Sequence, residues 1–352
     1  MGKIAVYKYM TLMCLVIQIV LTVFTFVGLF GGNVTPAGNT ARAMLVYVLP
    51  LLIAANIVML VVWLIKRNWL VAAVPLVTVL CCIPYIGTVW QPRPLSADPY
   101  EGRTLTVATY NVAKFGNETS GFMAQDILSE MKKQAVDVLC FQEYSDLYGG
   151  KRNSDNYKDY FPYMRTGNDD MVIYSRYPIT SSENMPFEDS NNSAMWCDID
   201  VKGSIVRVYN AHLETTGFNR TMRQAAKSVR SGYYVESNAL LRAVYSNYTL
   251  GMTIRAGQAD ALANEMRACT LPLIVCGDFN DVPYSYVYNT VLDGLIDGFK
   301  ECGSGWMRTY RGKKPVRIDY VFHSETLTGL SYYSLPLTYS DHYPVIFKAA
   351  FK

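Results

Sequence analysis

Leu273-Ile274-Val275-Cys276-Gly277-Asp278-Phe279-Asn280-Asp281 is the stretch from which the rest of this 352-residue chain is read. Four apolar residues, two of them β-branched, make a short buried strand, and the glycine and polar residues after them mark where it stops. A carboxylate and an amide at a strand's end are held rigidly and still face a cleft. The same arrangement recurs in both directions along the chain. Upstream, the apolar run 105–111 ends on Asn111, the run 136–142 is followed by Glu143, and the run 204–211 is followed by His212. Downstream, Asp319 sits within 317–323, and Asp341 and His342 precede 345–350. Segments 171–175 and 194–201 complete the predicted strands.

Helical spacing appears between these runs. Residues 122–134 place Met123, Ile127, Leu128 and Met131 on one apolar face. The stretch between His212 and Leu271 turns helical for longer, with breaks predicted near Gly232 and Gly251 and its most regular part over 255–267. Strands interleaved with helices over about 250 residues predict one α/β domain with packed sheets and helices on the outer faces.

The residue types at the strand ends suit the hydrolysis of a phosphate ester. The substrate is anionic, so a hard cation such as Mg²⁺ offsets charge on the phosphoryl oxygens, and hard cations take carboxylate oxygens. Glu143 is one such ligand, with Asp341 or Asp319 assisting. Asp278 is the candidate to direct a water at phosphorus. His212, His342 and Asn280 are placed to hydrogen-bond the non-bridging oxygens as charge builds there. The chain holds only three histidines, and two of them fall at these positions. The third, His323, lies just past the Asp319 strand and reads as structural. Taken singly, Glu143, Asp278 or Asp319 is an ordinary turn or surface charge; several in one order are specific.

Thr109-Tyr110-Asn111, Phe141-Gln142-Glu143, Asn210-Ala211-His212-Leu213, Gly277-Asp278-Phe279-Asn280-Asp281, Arg317-Ile318-Asp319-Tyr320-Val321 and Ser340-Asp341-His342-Tyr343-Pro344 resemble, in this order, the motifs of the endonuclease/exonuclease/phosphatase (deoxyribonuclease-I-like) superfamily. The resemblance implies a four-layered αββα sandwich. It also implies that Glu143 is the main ligand of Mg²⁺, with Mn²⁺ as an alternative, and that Asn111 stands beside it. Asp278 would orient or deprotonate water, and Asn280 would bind phosphate. His212 and His342 would contact the scissile group, Asp319 would fix and charge His342, and Asp341 would join the metal or phosphate shell. Arg255 and Gln258 resemble a supporting Arg-x-x-Gln of the family. The Ala-His-Leu setting of His212 is similar to the deoxyribonuclease I and sphingomyelinase branches, and differs from the abasic-site endonucleases. The helical segment 218–251 has no counterpart in that pattern; it is expected to shape the substrate groove, rest on a membrane, or decorate the surface.

The first ninety residues are of another kind. Hydrophobic residues make up 51% of the chain, and the excess is concentrated in three blocks of about 22 residues at 9–30, 43–65 and 69–90. At ~1.5 Å per residue each reaches ~33 Å, enough to cross a ~30 Å hydrocarbon core. Gly31-Gly32-Asn33-Val34-Thr35-Pro36 and Lys66-Arg67-Asn68 separate the blocks, Trp63, Trp69 and Trp90 lie near their ends, and Pro50 and Pro75 lie inside them. The first block is too long for a signal-peptide core and two more follow it. Lys3, Lys8, Lys66 and Arg67 against the single Arg42 predict a cytoplasmic N-terminus, which puts the catalytic region on the opposite face. The predicted organisation is therefore a three-helix transmembrane anchor over 1–90, a stiff proline-bearing linker over 91–103, and a catalytic domain over 104–352. Five cysteines beyond the anchor lack scaffold-like spacing and imply no disulfide framework. A bacterial inner membrane with the domain in the periplasm is the expected setting.

A formal charge of +3 gives no basic stripe of the kind extended nucleic-acid binding requires. The expected partners are a bilayer and a phosphoester substrate, either a phospholipid headgroup or nucleic acid; no feature calls for an obligate protein partner. The alternative from another class, an inactive fold kept as a membrane-bound scaffold, conflicts with the completeness of the site residues.

Overall fold

The computed structural model describes residues 2–93, 100–116, 124–145, 147–148, 151–152, 157–168, 170–188, 190–215, 218–231, 236–312 and 315–352. They form two compact units, one of Met1–Gly87 with Val282–Asn289 and one of Thr88–Asp281 with Thr290–Lys352.

The first unit is built on three helices. Stretches of 28, 26 and 18 residues, Ile4–Gly31, Thr40–Ile65 and Trp69–Ile86, have mean hydropathy of 2.5, 2.7 and 2.2 and are long and apolar enough to cross a membrane. The third is shorter than its predicted block. Its helix runs Trp69–Cys81, one further turn covers Ile83–Ile86, and Gly87 ends it. Trp90 instead enters a short strand, Trp90–Gln91, paired antiparallel with Gly305–Trp306. The hydrogen bonds of that ladder draw Trp90 out of the helix, so the indole predicted at a span's end belongs to the second unit.

The second unit is a sandwich of two six-stranded sheets. One runs, edge to edge, Leu327–Ser334, Val345–Phe351, Thr104–Asn111, Val138–Gln142, Val172–Ser175 and Tyr163–Thr166. The other runs Ile296–Asp297, Asp319–His323, Leu273–Asp278, Ser204–His212, Ser193–Val201 and Ile179–Pro186. Side chains alternate along each strand, and one set from each sheet meets in a common core. Val107, Val138, Cys140 and Val345 from the first sheet pack there with Cys197, Val208, Ile274, Cys276 and Val321 from the second. Ala108, Tyr110, Leu139 and Phe141 point the other way and pack against Ile127, Leu128 and Met131 of the helix Ala124–Lys133. The four layers expected from the sequence are present. Of the helix predicted over 122–134, Phe122 and Met123 lie outside the described residues.

The long helical segment consists of Phe218–Arg230 and Ser237–Ala268. The break predicted near Gly232 falls outside the described residues, and the one at Gly251 does not occur. Gly251 is buried within the continuous helix, where one glycine costs about 1 kcal/mol relative to alanine, too little to interrupt a 32-residue ladder. Met252, Ala256, Ala259, Leu262, Ala263 and Met266 form its buried stripe.

Candidate active site

Side-chain alternation builds the site. Continuing the inward-facing positions of the core strands by two leads from Val107 to Thr109 and Asn111, from Cys140 to Gln142, from Val208 to Asn210 and His212, and from Cys276 to Asp278. Asp319 shares the face of Val321. The core thus becomes polar at one end of both sheets. Gln142 donates through Nε2 to Thr109 Oγ1 at 3.0 Å and to Asn210 Oδ1 at 2.5 Å, and Asn210 donates back to the Phe141 carbonyl at 2.9 Å. These bonds tie one sheet to the other directly beneath the reactive groups.

Asn111 sits at the middle of the network. Its Nδ2 donates to Glu143 Oε1 and to Asp278 Oδ2, both at 3.0 Å, while its Oδ1 accepts from the Ala113 amide at 3.1 Å. The nitrogen faces the carboxylates and the oxygen is occupied, so Asn111 spaces two carboxylates apart; a ligand role would require the amide to turn over. The backbone around it is strained. Ala113, Lys114 and Phe115 adopt φ of 42°, 53° and 59°, and Glu143 adopts 50°. That left-handed turn lets the Lys114 amide donate to the Glu143 carbonyl at 2.8 Å, fixing the residue that carries the most accessible carboxylate. Glu143 keeps 40% of its side-chain surface exposed, against 1% for Asp278.

Asp278 and Asp319 are register partners on neighbouring antiparallel strands. Asp319 accepts from His342 Nδ1 at 3.0 and 3.1 Å, and His342 Nε2 lies 3.6 Å from Asp278 Oδ2. Ligand atoms of these three buried residues lie within 4.8 Å of one another. Burial pulls the His342 pKa down, but Asp319 and Asp278 outweigh it and push it up to about 10. Burial raises the Asp278 carboxyl, a shift opposed by His342 and reinforced by Asp319. The Tyr310 ring meets His342 edge-on at 5.2 Å and closes that side.

His212 stands on the other flank, its Nε2 4.0 Å from Glu143 Oε1 and its Nδ1 3.4 Å from Asp170 Oδ2. Burial disfavours its charge, yet Asp170, Asp278 and Glu143 together leave its pKa raised. Asp170 was not among the residues expected from sequence; it lies in a loop before Met171, and no strand end marks it. Among the described residues Asp170 Oδ1 is buried without a hydrogen-bond partner, polar capacity that suits an occupied site.

Asn280, at φ 51°, donates its backbone amide to Asp278 Oδ1 at 2.9 Å and its Nδ2 to the Leu213 carbonyl at 2.9 Å. Its amide group must let go of Leu213 to reach a phosphate. Gly277 has φ 140°, and a Cβ there would lie 1.9 Å from the Ala211 carbonyl oxygen, so only glycine lets the Asp278 and His212 strands pair this closely. Arg255 and Gln258 are one shell back. Arg255 Nη1 donates to the Glu214 carbonyl at 2.7 Å and Nε to Asp281 Oδ2 at 3.2 Å, while Gln258 Oε1 accepts from the Glu214 amide at 2.7 Å. They clamp the backbone beyond His212. Asp341 is outside the convergent group of Asp278, Asp319 and His342: its Oδ1 is 3.5 Å from Ser340 Oγ and its carbonyl accepts from Arg311, while its charge adds to those that raise His342. His323 is structural, with Nε2 2.7 Å from Glu301 Oε2 and its ring stacked on Phe347 at 5.0 Å.

The sequence profile of the Endonuclease/Exonuclease/phosphatase family matches residues 108–342, two thirds of the chain and nearly all of the sandwich. The chain belongs to the endonuclease/exonuclease/phosphatase family. A second profile, for a domain of unknown function, matches residues 10–89. No curated protein matches. Solved structures share the family fold. An endonuclease/exonuclease/phosphatase family protein of Bacteroides thetaiotaomicron superposes with a TM-score of 0.53 at 18% identity, covering 72% of this chain and 100% of that one. A Beutenbergia cavernae endonuclease/exonuclease/phosphatase gives 0.52 at 18% identity over 71% and 72% of the two chains. The human Nocturnin catalytic domain, with bound sulfate, gives 0.52 at 20% identity over 71% and 96%. Hydrolysis of phosphoester bonds is the chemistry of endonuclease/exonuclease/phosphatase enzymes, and this member has their fold.

Proposed function

We propose that this chain is a divalent-cation-dependent phosphoesterase tethered to a membrane, acting on a phospholipid headgroup or a related phosphodiester. The observation that carries the reading is the single network joining Asn111, Glu143, His212, Asp278, Asn280, Asp319 and His342 across two sheets. Buried carboxylates this close repel one another, and a cation among them offsets that charge. Hard carboxylate oxygens fit Mg²⁺ or Mn²⁺, and Glu143, the most open of them, would hold it with Asp278 or Asp319 beside it. When bound, that cation supplies Lewis-acid stabilisation of charge on the phosphoryl oxygens.

The remaining work falls to the protein. Asp278, its proton affinity raised by burial, accepts a proton from the attacking water as the new phosphorus–oxygen bond forms and the ester bond breaks. His342, kept cationic by Asp319, and His212, flanked by Asp170 and Glu143, place positive charge where the phosphoryl oxygens become more negative. Strand-end attachment holds these groups without reorganisation.

Membrane residence rests on an inverted surface. Inside the helical unit, Gln18 Nε2 donates to Asn56 Oδ1 at 3.0 Å and Asn56 Nδ2 to Thr25 Oγ1 at 2.9 Å, and all three residues are buried. Val16, Ile19, Val23, Leu51, Val58 and Leu76 face outward and are exposed. Polar side chains paired with one another inside and apolar side chains facing outward is the arrangement lipid favours. The basic residues around the spans support a cytoplasmic N-terminus with the enzyme on the opposite face, and a bacterial periplasm is the setting we propose for it. Tethering favours a lipid substrate, presented at high effective concentration. The test is turnover by the full chain, with Mg²⁺, of sphingomyelin-type lipids, phosphoinositides and plasmid DNA. Preferential cleavage of a lipid supports the reading; cleavage of DNA alone makes the enzyme a tethered nuclease.

A further inference from the structure

Trp306 is 78% exposed and Trp90, its register partner, is 38% exposed; their ring centroids lie 6.2 Å apart. Two neighbouring indoles open to water are unfavourable on a soluble surface, because they leave large apolar area hydrated. Their position along the chain gives the reason. Only Gly87, Thr88 and Val89 separate Trp90 from the last helical residue, Ile86. Four Cα–Cα steps span at most ~14 Å fully extended. The third candidate span has 18 residues, ~27 Å at 1.5 Å each, so it has no overhang to lift its end above a ~30 Å core. The headgroup zone beyond that core is itself ~5–8 Å deep on each side. The tether alone keeps Trp90 in or near that zone, and the strand pairing brings Trp306 with it.

We propose that Trp90 and Trp306 form an aromatic foot seated in the lipid headgroup zone, which turns the enzyme's adjoining groove toward the bilayer. The inference rests on the membrane reading of the three helices. Indole suits that zone because its ring is apolar and its N–H still finds a polar partner. Arg308, exposed beside Trp306, adds attraction for lipid phosphates. A groove lined by Trp306, Arg308, Tyr333 and Tyr343 adjoins the foot. Its wall is cationic and aromatic, since the guanidinium of Arg308 lies 5.7 Å from the Tyr343 ring. A headgroup phosphate at the bilayer surface therefore meets a cationic, aromatic wall beside the foot.

The test uses the full chain reconstituted in phosphatidylcholine vesicles whose acyl chains are brominated either close to the headgroup or near the chain end. Tryptophan emission is compared between wild type, Trp306→Phe and Trp69→Phe, and the differences report each indole separately. The proposal expects the Trp306 contribution to be blue-shifted and quenched at least two-fold by shallow bromines, and less by deep ones. A Trp306 contribution unaffected by either bromine, while that of Trp69 is quenched, overturns the foot and leaves the spans standing; this holds equally if a second copy of the chain covers the indole. If the Trp69 contribution is also unquenched, the membrane reading has failed and the foot with it. Trp90→Ala, which removes the half of the foot outside the groove, should further lower turnover of a vesicle-borne phosphoester about ten-fold and leave a water-soluble phosphodiester unchanged; an equal loss on both contradicts the proposal.

Discussion

Asp278 and Asp319 face each other in register across two antiparallel strands, and the carboxylates have different hydrogen-bond donors: Asn111 and the Asn280 amide for the first, His342 for the second. Strand pairing thus fixes two acids side by side, while their neighbours divide them into one that takes up a proton and one that holds an imidazolium.

Asp319 is what keeps His342 charged. With the cation chelated, His342 should titrate in an NMR experiment near 10, against an ordinary value of 6.5, and Asp319→Asn should bring it down toward or below that ordinary value. The folded pKa is raised, so the stabilisation is complete below pH 6.5 and is lost as pH climbs through about 10. The difference in melting temperature between wild type and Asp319→Asn should therefore be larger at pH 6.5 than at pH 10. A gap that widens with pH would contradict the assignment.

Glu143 carries the most open carboxylate of the cluster. Glu143→Ala should raise the Mg²⁺ concentration needed for half-maximal activity by at least ~10–100-fold, the scale seen when groups around a bound metal are removed. Thermal unfolding should change little, because the residue is 40% exposed. Unchanged metal dependence would remove Glu143 from the cation site.

Gly277 is a steric requirement. Gly277→Ala forces a Cβ against the Ala211 carbonyl and keeps a φ of 140° that L-residues avoid, so it should destabilise the domain by more than ~2 kcal/mol. Denaturant unfolding measures this, and a loss below ~0.5 kcal/mol would mean that the two strands separate easily.

Arg255 and Gln258 act on His212 through the Glu214 backbone. Gln258→Ala should lower kcat about ten-fold, with KM and Mg²⁺ dependence nearly unchanged, because it loosens a support and touches no reacting atom. Arg255→Ala leaves Asp281 without its buried cation and should cost ~3–5 kcal/mol in stability as well. A pure KM effect in the glutamine variant would place Gln258 in contact with substrate.

The extent to which the sequence foretold this structure follows from burial. All eight interior strands of the two sheets, such as Val138–Gln142 and Leu273–Asp278, were legible because they are largely buried and carry runs of apolar residues. The four that were not, Tyr163–Thr166, Ile179–Pro186, Ile296–Asp297 and Leu327–Ser334, are the four outer edges. Ile179–Pro186 is exposed along nearly its whole length, so no alternation betrays it. Site residues were readable where they end an apolar run, as Asn111 and His212 do. Asp170 belongs to a loop and was invisible for that reason. The orientation of the Asn111 amide depends on a left-handed turn that no periodicity encodes.

The most direct measurement is Mg²⁺-dependent phosphoester hydrolysis by the purified full chain and by Asp278→Asn, whose folding is checked by circular dichroism. The account predicts that the wild type cleaves a phosphoester, that chelation abolishes the cleavage, and that Asp278→Asn loses ~10²–10⁴-fold while remaining folded. A folded Asp278→Asn that turns over at the wild-type rate would contradict it.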